Sequence, residues 1–417
     1  MNLSDDLQWR GLIKDRTFDD ITWLDTPRTF YLGADAGSAD SLTIGNLAIF
    51  LTARRLREAG WKAVLLVGGA TSLIGDPGGK DDERELKSRE EVAANVAGIK
   101  GQVQQLFADQ EFTLVDNYDW FQGIGYLEFL REVGKHYSMT EMIQRDFIAA
   151  RIGEGGSGIS YAEFSYSLIQ GYDYYHLFKE HDVELQIGGS DQWGNMLSGA
   201  PLIRKKLGKE AHAFSMPLVI NKLTGKKFGK SEEGAVWLDA SKTSVTQFYQ
   251  FWINADDAGV EDYLKVYTML NRDEITGIIA EHIREPGKRV AQQRLAHEIT
   301  TIVHGESAAA NAALATDVLT GSVAIGHASD EVLELIRADL PSFTTTRDGD
   351  VVEALTETGL ASSNTEARRF MKESAVSVNG QKLDRDHFTP DDFQQGRLLL
   401  RKGKKFKDSA LIELATE

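Results

Sequence analysis

Cysteine is absent from this 417-residue chain, which removes disulfides, thiolate nucleophiles and cysteine-based zinc sites together. The 9 histidines show no metal-ligand spacing, so no metal site is expected. No apolar run approaches the roughly 20 residues needed to span a bilayer, and Met1-Asn2-Leu3-Ser4-Asp5-Asp6 is polar and acidic, unlike a secretory leader. A cytoplasmic protein with no membrane association is the expectation. A basic excess is missing too. The net charge of −17 argues against a nucleic-acid partner, which normally needs a basic surface. Its distribution softens that. From Val351 onward 11 Lys/Arg balance 11 Asp/Glu, so the whole excess of acid lies before that residue. Arg397, Arg401, Lys402, Lys404, Lys405 and Lys407 form a stretch without an acid. An RNA-facing patch and a solvated basic edge both fit the charge.

Apolar content of 42% and charged content of 26% are ordinary for a globular protein, and the length suits two or three domains. The first region alternates strand-like and helix-like text. Phe30 to Ala34, Lys62 to Gly69 and Phe112 to Asp116 read as strands; Leu47 to Ala59 and Ser88 to Phe107 read as helices, the latter opening with a Ser88/Glu91 capping box. Such alternation implies a parallel sheet with helices on both faces. From about Ser241 to Ala338 the apolar spacing is helical. Pro341 to Asp350 is short, polar and turn-forming, which reads as a linker. Beyond it come two short helices, Val351 to Leu360 and Thr365 to Lys372, then strand-like Val376 to Val378 and an Asn379-Gly380 hairpin turn.

Several segments concentrate polar groups. Ser41-Leu42-Thr43-Ile44-Gly45-Asn46 joins a strand to a helix, a junction whose free N–H groups and helix dipole favour phosphate. Lys227-Phe228-Gly229-Lys230-Ser231 sets two lysines around a glycine, as in a loop that closes cations over polyphosphate. An exposed basic turn is the competing reading, given Lys222 and Lys226 nearby. Between them lies Gly188-Gly189-Ser190-Asp191-Gln192-Trp193-Gly194-Asn195. Gly68 to Lys80 follows a strand and is too rich in glycine for a helix interior, so it is a functional loop or a turn. Asn117 to Phe121 also follows a strand. Helical period across Phe164 to Asp173 puts Tyr166, Gln170 and Asp173 on one face. That polar triplet meets a polar ligand or lies on a wet face, because burying it unpaired would be costly.

In this order the motifs resemble those of the bacterial tyrosyl-tRNA synthetases, which are class I aminoacyl-tRNA synthetases, from about Thr29 to the end. Thr43 to Asn46 resembles the HIGH motif, Lys227 to Ser231 the KMSKS motif in a KFGKS form, Gly188 to Asn195 the GGSDQWGN loop, and Gly68 to Lys80 the GGATGxIGDPSGK loop. The resemblance implies an α/β fold: a Rossmann-type doubly wound parallel sheet over residues 1–225, then the lysine loop and an α-helical tRNA-facing domain over 226–338. A linker at 339–350 and a small α+β RNA-binding module at 351–417 complete it. The implied activity is ATP-dependent formation of tyrosyl-adenylate followed by transfer to the 3′ end of tRNA(Tyr), by a homodimer. ATP is a substrate. Magnesium is expected with it, without a dedicated protein site.

Carried over residue by residue, the resemblance gives Lys227, Lys230, Thr43 and Asn46 catalytic roles. Tyr31 and Asp173 meet the phenolic hydroxyl of tyrosine; Asp76, Tyr166 and Gln170 meet its amino group, supported by Gln186 and Gln192. Asp35, Ser38, Thr43, Gly45, Asn46, Gly189, Asp191, Lys227, Lys230 and Ser231 face ATP. Arg368, Arg369, Lys372, Arg401, Lys402, Lys404 and Lys405 face RNA. Two departures lie on the phosphate side: Thr43 stands where the family usually has histidine, and Asp35-Ala36-Gly37-Ser38-Ala39-Asp40 is one residue longer than the usual Asp-Pro-Thr-Ala-Asp. Thr43 and Ser38 are expected to offer hydroxyl donors to the terminal phosphate. Two alternatives stay open: an RNA-binding protein that kept the fold and lost catalysis, and a sibling synthetase for tryptophan.

Overall fold

The computed structural model describes residues 2–76, 86–144, 146–153, 156–225, 227–231, 234–403 and 408–415. They form two compact units, one of residues 1–239 with 256–284 and one of 240–255 with 285–417.

The first unit is built on a six-stranded sheet. Its strands are β1 (Asp15–Arg16), β2 (Thr29–Asp35), β3 (Lys62–Gly68), β4 (Thr113–Asp116), β5 (Val183–Gly189) and β6 (His212–Met216), in the order β1-β6-β5-β2-β3-β4. All pairings are parallel except that of β1 with β6, so the sheet is mixed at one edge. The runs Phe30-Tyr31-Leu32 and Ala63 to Val67 are buried throughout, as strands covered on both faces must be. Strand order reverses direction between β2 and β5. At such a switch point the strand ends part and open a crevice.

Helices pack on the sheet, and Ile44–Glu58, Gly69–Ile74 and Tyr161–His181 contribute residues to this crevice. Ile44–Glu58 follows β2 and is closed by Gly60 at φ +89°, a left-handed position that favours glycine. Arg89–Leu106 starts with the expected Ser88/Glu91 capping box, and Tyr161–His181 with another at Ser160/Glu163. Gly69–Ile74 is a short helix, contrary to the loop or turn expected there. Its glycines sit at the ends, with Gly68 and Gly75 as caps, and leave Ala70 to Ile74 free to wind. The rest of that motif, from Pro77 to Lys80, lies outside the described residues.

Residues 226–338 do not form one helical body. The helix Val260–Tyr267 belongs to the first unit, where two buried arginines hold carbonyls in and just beyond its last turn. Arg10 donates to the Lys265 and Leu270 oxygens at 2.8 and 2.6 Å, and Arg55 to the Lys265 oxygen at 3.2 Å. Burial pulls the Arg55 guanidinium down to about 9. The lysine loop supplies β7 (Lys230–Ser231) and β8 (Gly234–Ala235), an antiparallel pair.

The second unit holds the helices Val245–Ile253, Val290–His304, Glu306–Thr320 and Asp330–Asp339 and a five-stranded sheet. The strands β9 (Ser342–Thr345), β10 (Val376–Val378), β11 (Gln381–Lys382), β12 (Arg397–Lys402) and β13 (Ser409–Leu414) lie in the order β11-β10-β12-β13-β9. The segment expected to be a linker is therefore partly a strand: β9 runs parallel to β13, pairing Phe343 with Ile412 and Thr345 with Leu414. Alternation along β12 serves two cores. Leu398 and Leu400 pack with Val351, Leu355 and Ala367, while Leu399 and Leu411 pack with Leu333, Ile336 and Leu340. The tail module and the helices before it thus share the second of these cores. The Asn379-Gly380 turn is as expected, with φ +48° and +82° and β10 antiparallel to β11.

Candidate active site

The crevice between β2 and β5 holds a cavity of about 280 Å³. At its buried end stand Tyr31 on β2, Gln186 on β5, and Tyr166 and Asp173 from the helix Tyr161–His181. The helical face read from the sequence as Tyr166, Gln170 and Asp173 does line it. Tyr31 is 2% exposed, and its hydroxyl has no hydrogen-bond partner among the described residues. A buried hydroxyl left unpaired is costly, so the cavity is shaped for a ligand atom at that point. Burial, with Asp173 next in weight, raises the Tyr31 phenol well above its usual range.

Asp173 is held from behind. Trp120 Nε1 donates to its Oδ1 at 2.9 Å and Asn117 Nδ2 to its Oδ2 at 3.1 Å. Both donors favour the ionised form, yet burial outweighs them and pushes the carboxyl up to about 8. Asn117 is itself pinned, its Oδ1 accepting from the Ala70 N–H at 2.7 Å. Sequence reasoning marked this segment as polar after a strand but assigned Asn117 and Trp120 no role. A buried polar residue directly after the strand β4 was the available signal.

Asp76, also buried, forms a second anchor. Gln192 donates to one of its oxygens at 2.5 Å and Asn195 to the other at 3.3 Å, and Asn195 also reaches the Gln192 oxygen at 3.2 Å. Burial, then the Asp76 charge, raises the Tyr166 phenol well above its usual range. Asn195, inside the GGSDQWGN loop, is a further participant the sequence reading left unassigned.

Toward the mouth lie Asp35, Thr43, Gly45, Asn46, Gly189, Asp191 and Lys227. Asp35 Oδ1 accepts from the Ser72 hydroxyl at 3.0 Å and from the Gly37 N–H at 2.9 Å. The Thr43 hydroxyl donates to Asn46 Oδ1 rather than pointing away as an isolated donor. Ser38 is not among the residues lining the cavity. Lys227 Nζ lies 3.1 Å from the Asp191 carboxylate, both about half exposed. The lysine loop is docked on the helix start: the Ile44 N–H donates to the Val236 oxygen and the Leu238 N–H to the Leu42 oxygen. Gly229, at φ +113°, sits so close that a side-chain carbon there would stand 3.2 Å from Ile44 Cγ1. Lys230 and Ser231 are placed through their backbone in β7; their side chains lie outside the described residues.

In the second unit Arg368, Arg369 and Lys372 are exposed on the helix Asn364–Lys372. Arg401 and Lys402 are turned inward. Arg401 donates to the Leu319 oxygen and, through Nε, to the Ser409 hydroxyl at 3.0 Å, and Lys402 to the Leu360 oxygen at 2.8 Å. Lys404 and Lys405 lie outside the described residues.

Residues 25–319 match the family described as tRNA synthetases class I (W and Y), and residues 331–407 match a tyrosine–tRNA ligase SYY-like C-terminal domain. Among similar proteins is a tyrosine–tRNA ligase of Flavobacterium johnsoniae, 41% identical over 97% of this chain and 98% of its own. One of Anaeromyxobacter dehalogenans is also 41% identical, with the same coverage. The fold is similar to a C-terminally truncated mitochondrial tyrosyl-tRNA synthetase of Aspergillus nidulans, with a TM-score of 0.67 and 30% identity over 75% of this chain and 92% of that one.

Proposed function

We infer, because the chain belongs to the class I tRNA synthetases of the tryptophan and tyrosine group and ends in the tyrosine-type C-terminal domain, that it attaches L-tyrosine to tRNA(Tyr) using ATP. The tyrosine carboxylate attacks the α-phosphorus of ATP, the bond to the β-phosphate breaks, and pyrophosphate leaves. A ribose hydroxyl at the tRNA 3′ end then attacks the acyl carbon of tyrosyl-adenylate and AMP leaves. Neither step needs a protein nucleophile; both need positioning and stabilisation of developing charge.

The unpartnered Tyr31 hydroxyl in the same cavity as the clamped Asp173 carboxyl carries the choice of tyrosine. A phenolic hydroxyl can accept from one and donate to the other. An indole N–H only donates, so tryptophan would leave one of the pair unsatisfied; phenylalanine would leave both. Asp76, Tyr166 and Gln170 offer three acceptors to the three donors of the α-ammonium, with Gln186 and Gln192 in support. Asp35, Gly189 and Asp191 hold the ribose or the adenylate. Gly45 and Asn46 serve the phosphates, and Lys227 and Lys230, with Ser231, the leaving pyrophosphate. In the free protein Lys227 is neutralised by Asp191. ATP replaces that pair, its ribose hydroxyl donating to Asp191 while Lys227 turns to the phosphates. An RNA-binding protein without catalysis would have no use for both halves of this cavity.

Magnesium arrives with ATP as part of the substrate. Among the described residues no group of three or more His, Cys, Asp or Glu side chains is placed to hold a metal. Transfer-RNA contact falls to the helices of residues 226–338 and to Arg368, Arg369 and Lys372, exposed on the helix Asn364–Lys372. Exposed Tyr126, Leu127, Met139, Ile143, Ile152 and Tyr161, concentrated in one stretch of the chain, support a homodimer; Leu127→Asp should then lower the sedimenting mass, and an unchanged mass would count against it. Among the described residues no helix is long and apolar enough to cross a membrane, and we place the protein in the cytoplasm with its tRNA. Pyrophosphate exchange with each amino acid tests the catalytic reading. The tRNA reading predicts that Arg368→Ala with Arg369→Ala lowers charging while exchange persists; unchanged charging would contradict it.

A further inference from the structure

The phosphate end of the cavity depends on where the helix Ile44–Glu58 begins, and hence on the backbone of residues 36–42 that leads into it. That stretch contains Gly37 and no proline, and its start is held by the Ala36 N–H on the Ser72 hydroxyl and the Gly37 N–H on Asp35 Oδ1, each at 2.9 Å. The helix Arg89–Leu106 holds it at both ends. Asn95, 8% exposed, donates through Nδ2 to the Ala36 oxygen at 2.8 Å. Gln102 accepts the Leu42 N–H at 2.7 Å and donates to the Ser41 hydroxyl at 2.9 Å. Between them Gly98 lets the two backbones touch, since a side-chain carbon there would stand 2.3 Å from the Asp40 oxygen. The three residues are spaced by three and four, so they share one face of the helix. None of them lines the cavity.

We propose that Asn95 and Gln102 are positioning residues for the nucleoside triphosphate, acting through the backbone of residues 36–42, with Gly98 giving the approach they require. Asn95 fixes the start of the segment beside Asp35. Gln102 fixes its end, one residue before Thr43. Leu42 is thereby held on two sides, its N–H by Gln102 and its oxygen by the Leu238 N–H at 2.9 Å. A shift of this segment moves the Gly45 and Asn46 donors and leaves Asp173 unmoved, because Asp173 is held by Asn117 and Trp120. Loss of either clamp therefore acts on ATP and not on tyrosine. The proposal rests on the synthetase reading above.

The test is steady-state pyrophosphate exchange by the full-length protein, varying ATP and tyrosine separately. Asn95→Ala and Gln102→Ala should each raise KM for ATP about tenfold, the size of one lost buried hydrogen bond, with KM for tyrosine within about twofold of the parent. Gln102→Glu still accepts the Leu42 N–H and should recover most of the loss, which a merely structural role would not require. Gly98→Ala should be at least as severe as either; if it does not fold, the other three variants decide. A parent protein without tyrosine-dependent exchange would overturn the synthetase reading itself. With the parent active, an unchanged KM for ATP, or an equal rise in both KM values, would overturn this proposal alone.

Discussion

The Thr43 hydroxyl donates to Asn46 Oδ1 over 2.9 Å, and the Thr43 backbone N–H reaches the same oxygen over 3.0 Å. Because an N–H can only donate, the Asn46 amide has one orientation, which leaves its Nδ2 to donate to a ligand. Where the sequence reading had Thr43 contact phosphate itself, this geometry has it act through Asn46. Asn46→Ala should lose about 1.5–3 kcal/mol of transition-state stabilisation, roughly 10- to 100-fold in kcat/KM for ATP. Thr43→Ala should lose about 1 kcal/mol, and adding it to Asn46→Ala nothing more. Additive losses in a double-mutant cycle would place the Thr43 hydroxyl on the phosphate directly.

Trp120→Phe keeps the ring and removes the N–H that holds Asp173. Tyrosine binding should weaken by about 1–2 kcal/mol, on the order of tenfold in KM for tyrosine. KM for ATP should stay as in the parent. An unchanged KM for tyrosine would show that Asn117 alone suffices.

Burial pushes the Asp173 carboxyl up to about 8. Between the ordinary carboxylate range and that value the folded chain keeps a proton that the unfolded chain has released. Its contribution to stability is therefore full below about pH 4, falls as pH rises, and levels off above about 8. The Tm of the parent should fall more steeply from pH 5 to 8 than that of Asp173→Asn, whose side chain does not titrate. Equal slopes would contradict the assignment.

Much of this was legible in the sequence where structure is local. The strands β2, β3 and β4, the Ser88 capping box and the Asn379-Gly380 turn follow from alternation, end signals and turn chemistry within a few residues. The placing of Tyr166, Gln170 and Asp173 on one helical face follows from spacing alone. What escaped depends on partners far along the chain. Ser342 to Thr345 looks like a linker until β13 arrives beside it. Residues 226–338 look like one helical domain because helical period does not say which core a helix joins; Arg10 and Arg55 decide that for Val260–Tyr267. Trp120 meets Asp173 from 53 residues away, and no local pattern announces such a bond.

Gly229→Ala should disturb the docking of the lysine loop. Its φ of +113° and the 3.2 Å approach to Ile44 leave a methyl group strained, at about 1–3 kcal/mol. Adenylate formation should slow by about tenfold or more, while tyrosine binding, measured without ATP, stays intact. Parent-like single-turnover rates would mean that the docked loop is not the reactive one.

The most direct measurement is tyrosine-dependent pyrophosphate exchange by the parent and by Asp173→Ala, with tyrosine, tryptophan and phenylalanine each supplied in turn. The account predicts that tyrosine alone supports exchange by the parent, and that Asp173→Ala loses about 100-fold or more in kcat/KM for tyrosine. Exchange by the parent with tryptophan or phenylalanine, or an Asp173→Ala variant as active as the parent, would contradict it.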